Sequence, residues 1–348
     1  MESAIPQGQL GEIVREARSK TGVPAVAAGL LVGGSVELAA DGACAQETPF
    51  RVASISKWFT ASLASASGAL DDETRRLLSH TAGLRSEVAE PLPDVCQGLW
   101  SYANSGYWAA GEACATATGM PFADAMRVAI LEPLGLAATS YEEPPGAAGG
   151  HVQDGVTGHR PAGSPDYPVE RFASGGLWST VGDLLQFAEH QFDDPYGLQR
   201  PQANALGAEY CLGCWRRELE GGRIAFDHEG SVAGFQSLLL IVPEERLALA
   251  VLTNSWRGSG LIRRVVKGLG LVPADSTIGD VEEGSYALGR VSAEVRDGWI
   301  VEDETDPITG AAVHRKYRIS FDAALMSHRV DFPRPGVARI GWVALPRA

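Results

Sequence analysis

Lysine is scarce in this chain. Only four positions carry it (Lys20, Lys57, Lys267 and Lys316), and arginine supplies the rest of the 29 basic residues. Basic residues as a whole are outnumbered by 43 acidic ones, leaving a formal charge of −14, which argues against a nucleic-acid surface or a basic membrane patch. Long apolar runs are missing too. The longest, VPAVAAGLLV (23–32) and LALAVLT (247–253), fall well short of the ~20 residues that cross a bilayer. The N-terminus has no basic start followed by an apolar block and a cleavage site, so it reads as the beginning of a first helix and the protein as cytoplasmic. Cysteines number five (Cys44, Cys96, Cys114, Cys211 and Cys214), too few for a disulfide framework. The C-x-x-C at Cys211 and Cys214 has no second pair to complete a zinc site, so the thiols read as reduced and buried. No phosphate loop, dinucleotide fingerprint or G-x-S-x-G elbow occurs. No cofactor and no metal are expected.

What is present is enough for a large core: 348 residues, 45% hydrophobic, with room for two domains. Residues 8–20 read as an amphipathic helix with Leu10, Ile13, Val14 and Ala17 on one face, and 24–42 as a hairpin turning at Gly33-Gly34. Helices follow over 54–70, within 73–84 with its stop at Gly83, 105–119, 121–136 with Gly135 as its cap, and 179–192, the last capped by Ser179 or Thr180. Residues 143–168 are rich in glycine and proline and read as irregular. From 208 the period becomes that of strands, with a Gly221-Gly222 hairpin and a turn at 243–246, closed by a helix over 258–271. The last ~70 residues, with runs such as HRKYRISF and ARIGWVAL and a turn at Asp306-Pro307, read as a small all-β segment.

One of the four lysines stands in an unusual place. RVASISKWFT (51–60) puts Lys57 three residues after Ser54 in an apolar run, and residues three apart share a helix face. A serine hydroxyl is a poor nucleophile until a base takes its proton, and a neutral lysine can be that base. Moving a lysine from its ordinary value near 10.4 toward neutrality costs about 4 kcal/mol, and burial among Val52, Ile55, Trp58 and Phe59 is the means available. A lone S-x-x-K is weak, since a capping serine and a surface lysine also satisfy it. This chain contains no other, however, and two further motifs each occur once. They are Tyr102-x-Asn104 in SYANSGY, just before a helix, and His228-x-Gly230 in DHEGSVAGF, on what reads as a sheet edge.

These three motifs in this order resemble the serine β-lactamase and penicillin-binding-protein family, especially its class C-related esterases, D-aminopeptidases and acyltransferases. LLSHTAGL (77–84), ILEPLGLAATS (130–140), ASGGLWSTVGDLLQFA (173–188) and GSVAGFQSLLLIVPEERLALAVLTNS (230–255) extend the likeness over about 24–268. It implies an α+β sandwich, with an antiparallel sheet flanked by helices and an all-helical subdomain inserted at about 58–190. Residues 1–272 would form the catalytic domain and 273–348 the β appendage. It implies Ser54 as acyl-accepting nucleophile, Lys57 as its proton partner and Tyr102 as an acid or base toward the leaving group. Asn104 would orient the substrate, His228 would replace the lysine of the family's K-T-G triplet, and Gly230 would keep its strand bare. The backbone N–H groups of Ser54 and Ser231 would form the oxyanion hole.

The chain departs from the pattern in two places. The region between Lys57 and His80 and the strand between Ala40 and Pro49 are short, so an altered or more open cleft is expected. The third triplet is H-E-G, and a neutral His228 attracts a carboxylate less than lysine does, which argues against penicillin hydrolysis as the main task. The expected activity is a serine hydrolase or acyltransferase that passes an acyl group from a small-molecule ester or amide to water, an amine or an alcohol. A D-aminopeptidase or amidase, a weak β-lactamase and a non-catalytic penicillin-recognising protein are the alternatives. His151, His159 and His190 read as surface residues, His80 as a structural hydrogen bonder, Trp178 and Tyr107 as core, and Arg263, Arg264 and Lys267 as a solvated helix face.

Overall fold

The computed structural model describes residues 8–154, 158–163, 166–232, 234–274, 281–297, 299–305, 312–318, 330–340 and 343–348. The Asp306-Pro307 turn and parts of the HRKYRISF and ARIGWVAL runs lie outside the described residues. Helix α1 (Leu10–Thr21) leads into the hairpin β1 (Ala25–Val32) and β2 (Ser35–Gly42), with Gly33 and Gly34 both at positive φ in the turn. The short β3 (Phe50–Arg51) precedes α2 (Ser56–Ala66), α3 (Asp72–Leu78), α4 (Asn104–Thr118) and α5 (Phe122–Met126). Helix α3 stops at Leu78, short of the expected Gly83, because His80 takes a left-handed φ of 59° and turns the chain. Helix α5 continues over Arg127–Leu131 as a wider turn in which Glu132 N donates to Arg127 O, before Gly135 ends the run.

The stretch expected to be irregular contains a hairpin, β4 (His151–Asp154) with β5 (Gly158–Pro161). Next come α6 (Phe172–Gly175), β6 (Trp178–Ser179) and α7 (Val181–Gln191), whose cap is Thr180, its hydroxyl accepting from Asp183 N. Strands β7 (Ala203–Ala205), β8 (Ala208–Tyr210), β9 (Trp215–Glu218), β10 (Ile224–Val232), β11 (Phe235–Val242) and β12 (Leu247–Thr253) follow, then α8 (Gly258–Gly268).

The main sheet is antiparallel throughout, in the order β2-β1-β12-β11-β10-β9-β8-β7, so the N-terminal hairpin joins the late strands at β12. Its strands alternate between two cores, as the period of two requires. Val26, Ala28, Leu30, Leu240, Leu249 and Val251 pack under α1 and α8. Ala25, Ala27, Leu31, Leu239, Ala250 and Leu252 face α2 and α7 with Trp58, Phe59, Leu184 and Phe187. Close approach of α7 depends on Gly29, where an added Cβ would lie 2.8 Å from Leu185 Cδ1. Helix α2 is buried on every side from Ser56 to Ala64, sandwiched between sheet and helices. A lysine on that helix has no route to water.

Two further sheets close the chain: β13 (Gly284–Leu288), β14 (Val291–Arg296), β15 (Trp299–Thr305) and β16 (Ala312–Arg318), then β17 (Val330–Arg334), β18 (Val337–Ile340) and β19 (Val343–Pro346). Tyr286, Val295, Ile300, Val330, Ile340 and Leu345 form a core of their own. Val337 and Ala344 pack on Leu92 and Cys96 of the earlier chain.

Candidate active site

The chain enters the site through a strained turn. Ala53 is a buried non-glycine residue at φ 49°, a conformation that costs on the order of 1 kcal/mol and persists only where its surroundings impose it. Here Val52 N donates to Leu177 O, Ser237 Oγ donates to Val52 O at 2.8 Å, and Leu177 N donates to Ser56 Oγ. The turn delivers Ser54 half-buried, in a tight 3₁₀ turn over Ala53–Ile55 that runs straight into α2. Lys57 follows in the first turn of that helix, fully buried, with Nζ 3.2 Å from Ser54 Oγ and 2.5 Å from the carbonyl oxygen of Ser174. Val52, Ile55, Trp58 and Phe59 around it are all without exposure. That burial pushes the Lys57 ammonium down from 10.5 to about 7, against the opposing pull of the Glu87 carboxylate.

Two aromatic rings close over Lys57 Nζ, Tyr102 at 4.8 Å and Tyr107 at 5.3 Å from their centroids. Tyr102 sits in the extended segment before α4, with its hydroxyl beside the Ser54 side chain, and burial holds the phenol well above its ordinary value. Its ring rests 4.3 Å from that of His80. His80 accepts from Ala103 N through Nδ1 at 3.0 Å, so its proton is on Nε2, and burial keeps the ring neutral. Tyr107 is core, as its pattern predicts, and donates to Leu78 O at 2.6 Å; Trp178 is likewise buried.

His228 is placed by β10. It is not at an outer edge of the sheet, because β9 pairs with β10 from Ile224 to Asp227. From His228 to Val232, however, β10 pairs among the described residues only with β11, so the expected open edge exists locally. His228 has no exposure. Nδ1 lies 2.7 Å from Glu229 O, to which it donates, leaving Nε2 to accept from the Tyr210 hydroxyl at 3.3 Å. Burial, with the charge of Lys57 second, pushes the ring down to about 3. Alternate residues Asp227 and Glu229 point to the other face, where Arg217 contacts both at 2.7 and 3.9 Å.

Gly230 presses β10 directly onto the nucleophile turn: a Cβ there would sit 2.2 Å from Val52 O and 2.2 Å from Ser237 Oγ. Ser231 is exposed and its Oγ accepts from Gln236 Nε2 at 2.7 Å. Asn104, at the start of α4, donates through Nδ2 to Glu87 Oε1 at 2.5 Å. The structure thus draws half-buried Ser54 together with the buried Lys57, Tyr102 and His228, brings Gly230 against them, and turns Asn104 toward Glu87.

Three contributors were not read from the sequence. Ser174 acts through its carbonyl, which no side-chain motif marks. Glu87 lies in a plain SEVAEP stretch, and Tyr210 comes from a short strand remote in sequence. Elsewhere, His151 and His159 are half-buried and bonded to Asn254 O and Ser255 Oγ, not free on the surface, and Arg263 leans toward Glu229 instead of being wholly solvated. All five cysteines are free thiols, Cys44 only half-buried. Among the described residues no group of three or more His, Cys, Asp or Glu is arranged to hold a metal, and no helix is long and apolar enough to cross a membrane.

The beta-lactamase family model matches residues 73–267, more than half of the chain. The chain therefore belongs to the beta-lactamase family, whose members are serine hydrolases that act through an acyl-enzyme. A comparison with curated proteins finds no match. Among solved structures, SurE is similar over 97% of this chain and 98% of its own, at 21% identity and a TM-score of 0.73. A class C beta lactamase from Rhodobacter sphaeroides is similar over 76% of this chain and 98% of its own, at 18% identity and a TM-score of 0.65. A D-stereospecific amidohydrolase from Streptomyces sp. is similar over 74% and 98%, at 20% identity and a TM-score of 0.66. At these identities the likeness is one of fold, and of these three that to SurE takes in nearly the whole chain.

Proposed function

We propose that the protein is a hydrolase or acyltransferase that forms an acyl-Ser54 ester from a small-molecule ester or amide. The observation that carries this reading is Lys57: wholly buried, 3.2 Å from Ser54 Oγ, and poised at about 7. Lys57 takes the Ser54 proton as the Oγ–C bond forms. Tyr102, held as a neutral phenol, gives its proton to the departing oxygen or nitrogen as that bond breaks, and regains one from Lys57. Water, an amine or an alcohol then attacks the ester, passing its proton back through the same pair as the Oγ–C bond breaks. The packing of Gly230 on Val52 and Ala53 sets β10 beside Ser54, in keeping with backbone N–H groups of Ser54 and Ser231 as the oxyanion donors, each typically worth ~10²–10³ in rate. Asn104 faces the substrate with the half of its amide that Glu87 leaves open.

His228 supports the move away from penicillin. Neutral at ordinary pH and enclosed by Tyr210 and its own backbone, it offers no cation to a drug carboxylate. The acyl group favoured second is that of a D-amino acid. The support is in the neighbours' names: SurE was solved with D-Leu, and a D-amino acid amidase from Ochrobactrum anthropi SV3 joins the D-stereospecific amidohydrolase. Residues 1–272 as catalytic domain, a cytoplasmic setting and a place in natural-product metabolism belong to the same proposal.

Turnover of matched D- and L-aminoacyl aryl esters and amides, with water, amine and alcohol acceptors, separates these readings. A preference for D-acyl groups supports the D-amino acid reading, and equal turnover of both enantiomers removes it. Tyr102→Phe should lose turnover by ~10²–10⁴ while still binding ligand. A wild type that only binds and never turns over would leave the non-catalytic alternative standing.

A further inference from the structure

Glu87 stands where the candidate active site meets the C-terminal sheets. Its side chain is only 10% exposed and serves both sides at once. Toward the site, Oε1 accepts from Asn104 Nδ2 at 2.5 Å and from Ser86 Oγ at 3.0 Å. Toward the C-terminal segment, Arg290 Nη2 lies 3.3 Å from Oε1; Arg171 Nη1, from the turn before α6, lies 3.7 Å from Oε2. Arg290 is itself fixed, donating to Glu304 Oε1 and, at 2.8 Å, to Thr305 O.

The same turn makes a second contact with the same loop. Gly289, at φ 60°, approaches Arg85 so closely that a Cβ would sit 2.6 Å from its Nη2, and Arg85 is paired with Glu90. Further along, Val337 and Ala344 pack on Leu92 and Cys96, and Ala344 N donates to Ser101 Oγ at 3.0 Å, one residue before Tyr102. The C-terminal sheets therefore brace the stretch from Arg85 to Asn104, which carries two of the candidate site residues.

We propose that Glu87 is a positioning residue that holds Asn104 toward the substrate, and that the Gly289-Arg290 turn holds Glu87, so that the C-terminal segment completes the acyl-binding cleft. The proposal rests on the acyl-Ser54 reading. An asparagine amide free to rotate would present either its oxygen or its nitrogen; with one N–H committed to Glu87, its orientation is set. A carboxylate this far from water is also weakly screened, so it acts on the site as a charge as well as an acceptor. The groups facing Lys57 are Ser54, the Ser174 carbonyl, the rings of Tyr102 and Tyr107, the neutral His80 and His228, and Glu87, which favours its protonated form. The groups facing Glu87 are Arg171, Arg290, Ser86, Asn104, Tyr102 and Tyr167.

The test is acylation by an activated aryl ester across pH for wild type, Glu87→Gln, Glu87→Ala, Arg290→Gln and the double variant Glu87→Gln/Arg290→Gln. Arg347→Gln, which removes an ion pair to Glu282 in the same segment, controls for general damage to that segment. Glu87→Gln keeps an oxygen for Asn104 but loses the charge, so the acid limb moves to lower pH with KM little changed. Arg290→Gln leaves the carboxylate less compensated and moves the limb to higher pH. Glu87→Ala loses the acceptor too and raises KM about 10- to 100-fold, the scale of a lost hydrogen bond to a charged group. Arg347→Gln changes neither. Shifts of the same sign in Glu87→Gln and Arg290→Gln, or a Glu87→Ala variant with wild-type KM, overturn the proposal. A wild type that never acylates sinks the acyl-Ser54 reading instead. The Glu87–Arg290 link is then judged by unfolding: a double variant no less stable than the worse single one supports it, and additive losses overturn it.

Discussion

Replacing Lys57 with methionine should make the protein more stable while abolishing its chemistry, and the gain should shrink as pH rises. Lys57 is fully buried and its folded value, about 7, lies below its unfolded value of 10.5. Between the two, the unfolded chain holds a proton that the folded chain lacks, so this lysine's contribution to stability is worst below about 7 and improves up to 10.5. At about 1.4 kcal/mol per pH unit, the cost of burying it is roughly 4–5 kcal/mol at pH 7 and roughly 2–3 kcal/mol at pH 8.5. Methionine fills a similar volume without that cost. It leaves the Ser174 carbonyl without its 2.5 Å donor, a loss of about 1–3 kcal/mol. The net gain is roughly 1–4 kcal/mol at pH 7. The decisive quantity is the difference between variant and wild type in urea unfolding at the two pH values, which should narrow by roughly 2 kcal/mol. His80 and His228 titrate below this window, and the raised thiols and phenols are common to both proteins and cancel. A variant-minus-wild-type difference that does not move between pH 7 and 8.5 would falsify the placement of Lys57 as a buried, nearly neutral base.

Gly230→Ala puts a methyl group 2.2 Å from Val52 O and from Ser237 Oγ, forcing β10 off the nucleophile turn. Acylation should fall by ~10² or more with circular dichroism unchanged, and a variant with wild-type rate would show that the strand is not fixed there. Arg217→Met removes the charge partner that lies 2.7 Å from the fully buried Asp227. It should lose about 3–5 kcal/mol in denaturant unfolding, whereas a loss under 1 kcal/mol would mean the pair is replaced. Acylation by wild type should show an acid limb near pH 7, set by Lys57; a limb near 4–5 would point to a carboxylate as the base.

How much of this was legible beforehand depends on the kind of signal. The Gly33-Gly34 hairpin is a local pattern and pairs as read, whereas the division of Val26, Ala28 and Leu30 from Ala25, Ala27 and Leu31 between two cores is set by the layers packed on each face. The proximity of Ser54 and Lys57 follows from three-residue spacing at a helix start, and the burial of Lys57 from its apolar neighbours. What escaped depends on tertiary placement. The end of α3 at Leu78 follows from the left-handed turn at His80, where nothing in the sequence replaces the more obvious Gly83. The β4–β5 hairpin lies in a stretch whose glycines and prolines mask its pairing, and it is anchored by His151 N donating to Asn254 O, a partner 103 residues away. His228 reads from the sequence as lying on a sheet edge, yet its strand is interior because the short β7, β8 and β9 add beyond β10. Glu87 was invisible for the same reason: its partners Asn104, Arg171 and Arg290 come from three separate parts of the chain.

The most direct test of the central claim is intact-protein mass after brief exposure to an activated aryl ester, compared between wild type and Ser54→Ala. The structure predicts one added acyl group on wild type, none on the variant, and loss of the adduct when water, an amine or an alcohol is supplied. An adduct of equal yield on Ser54→Ala, or none on wild type with any ester, would contradict an acyl-Ser54 mechanism.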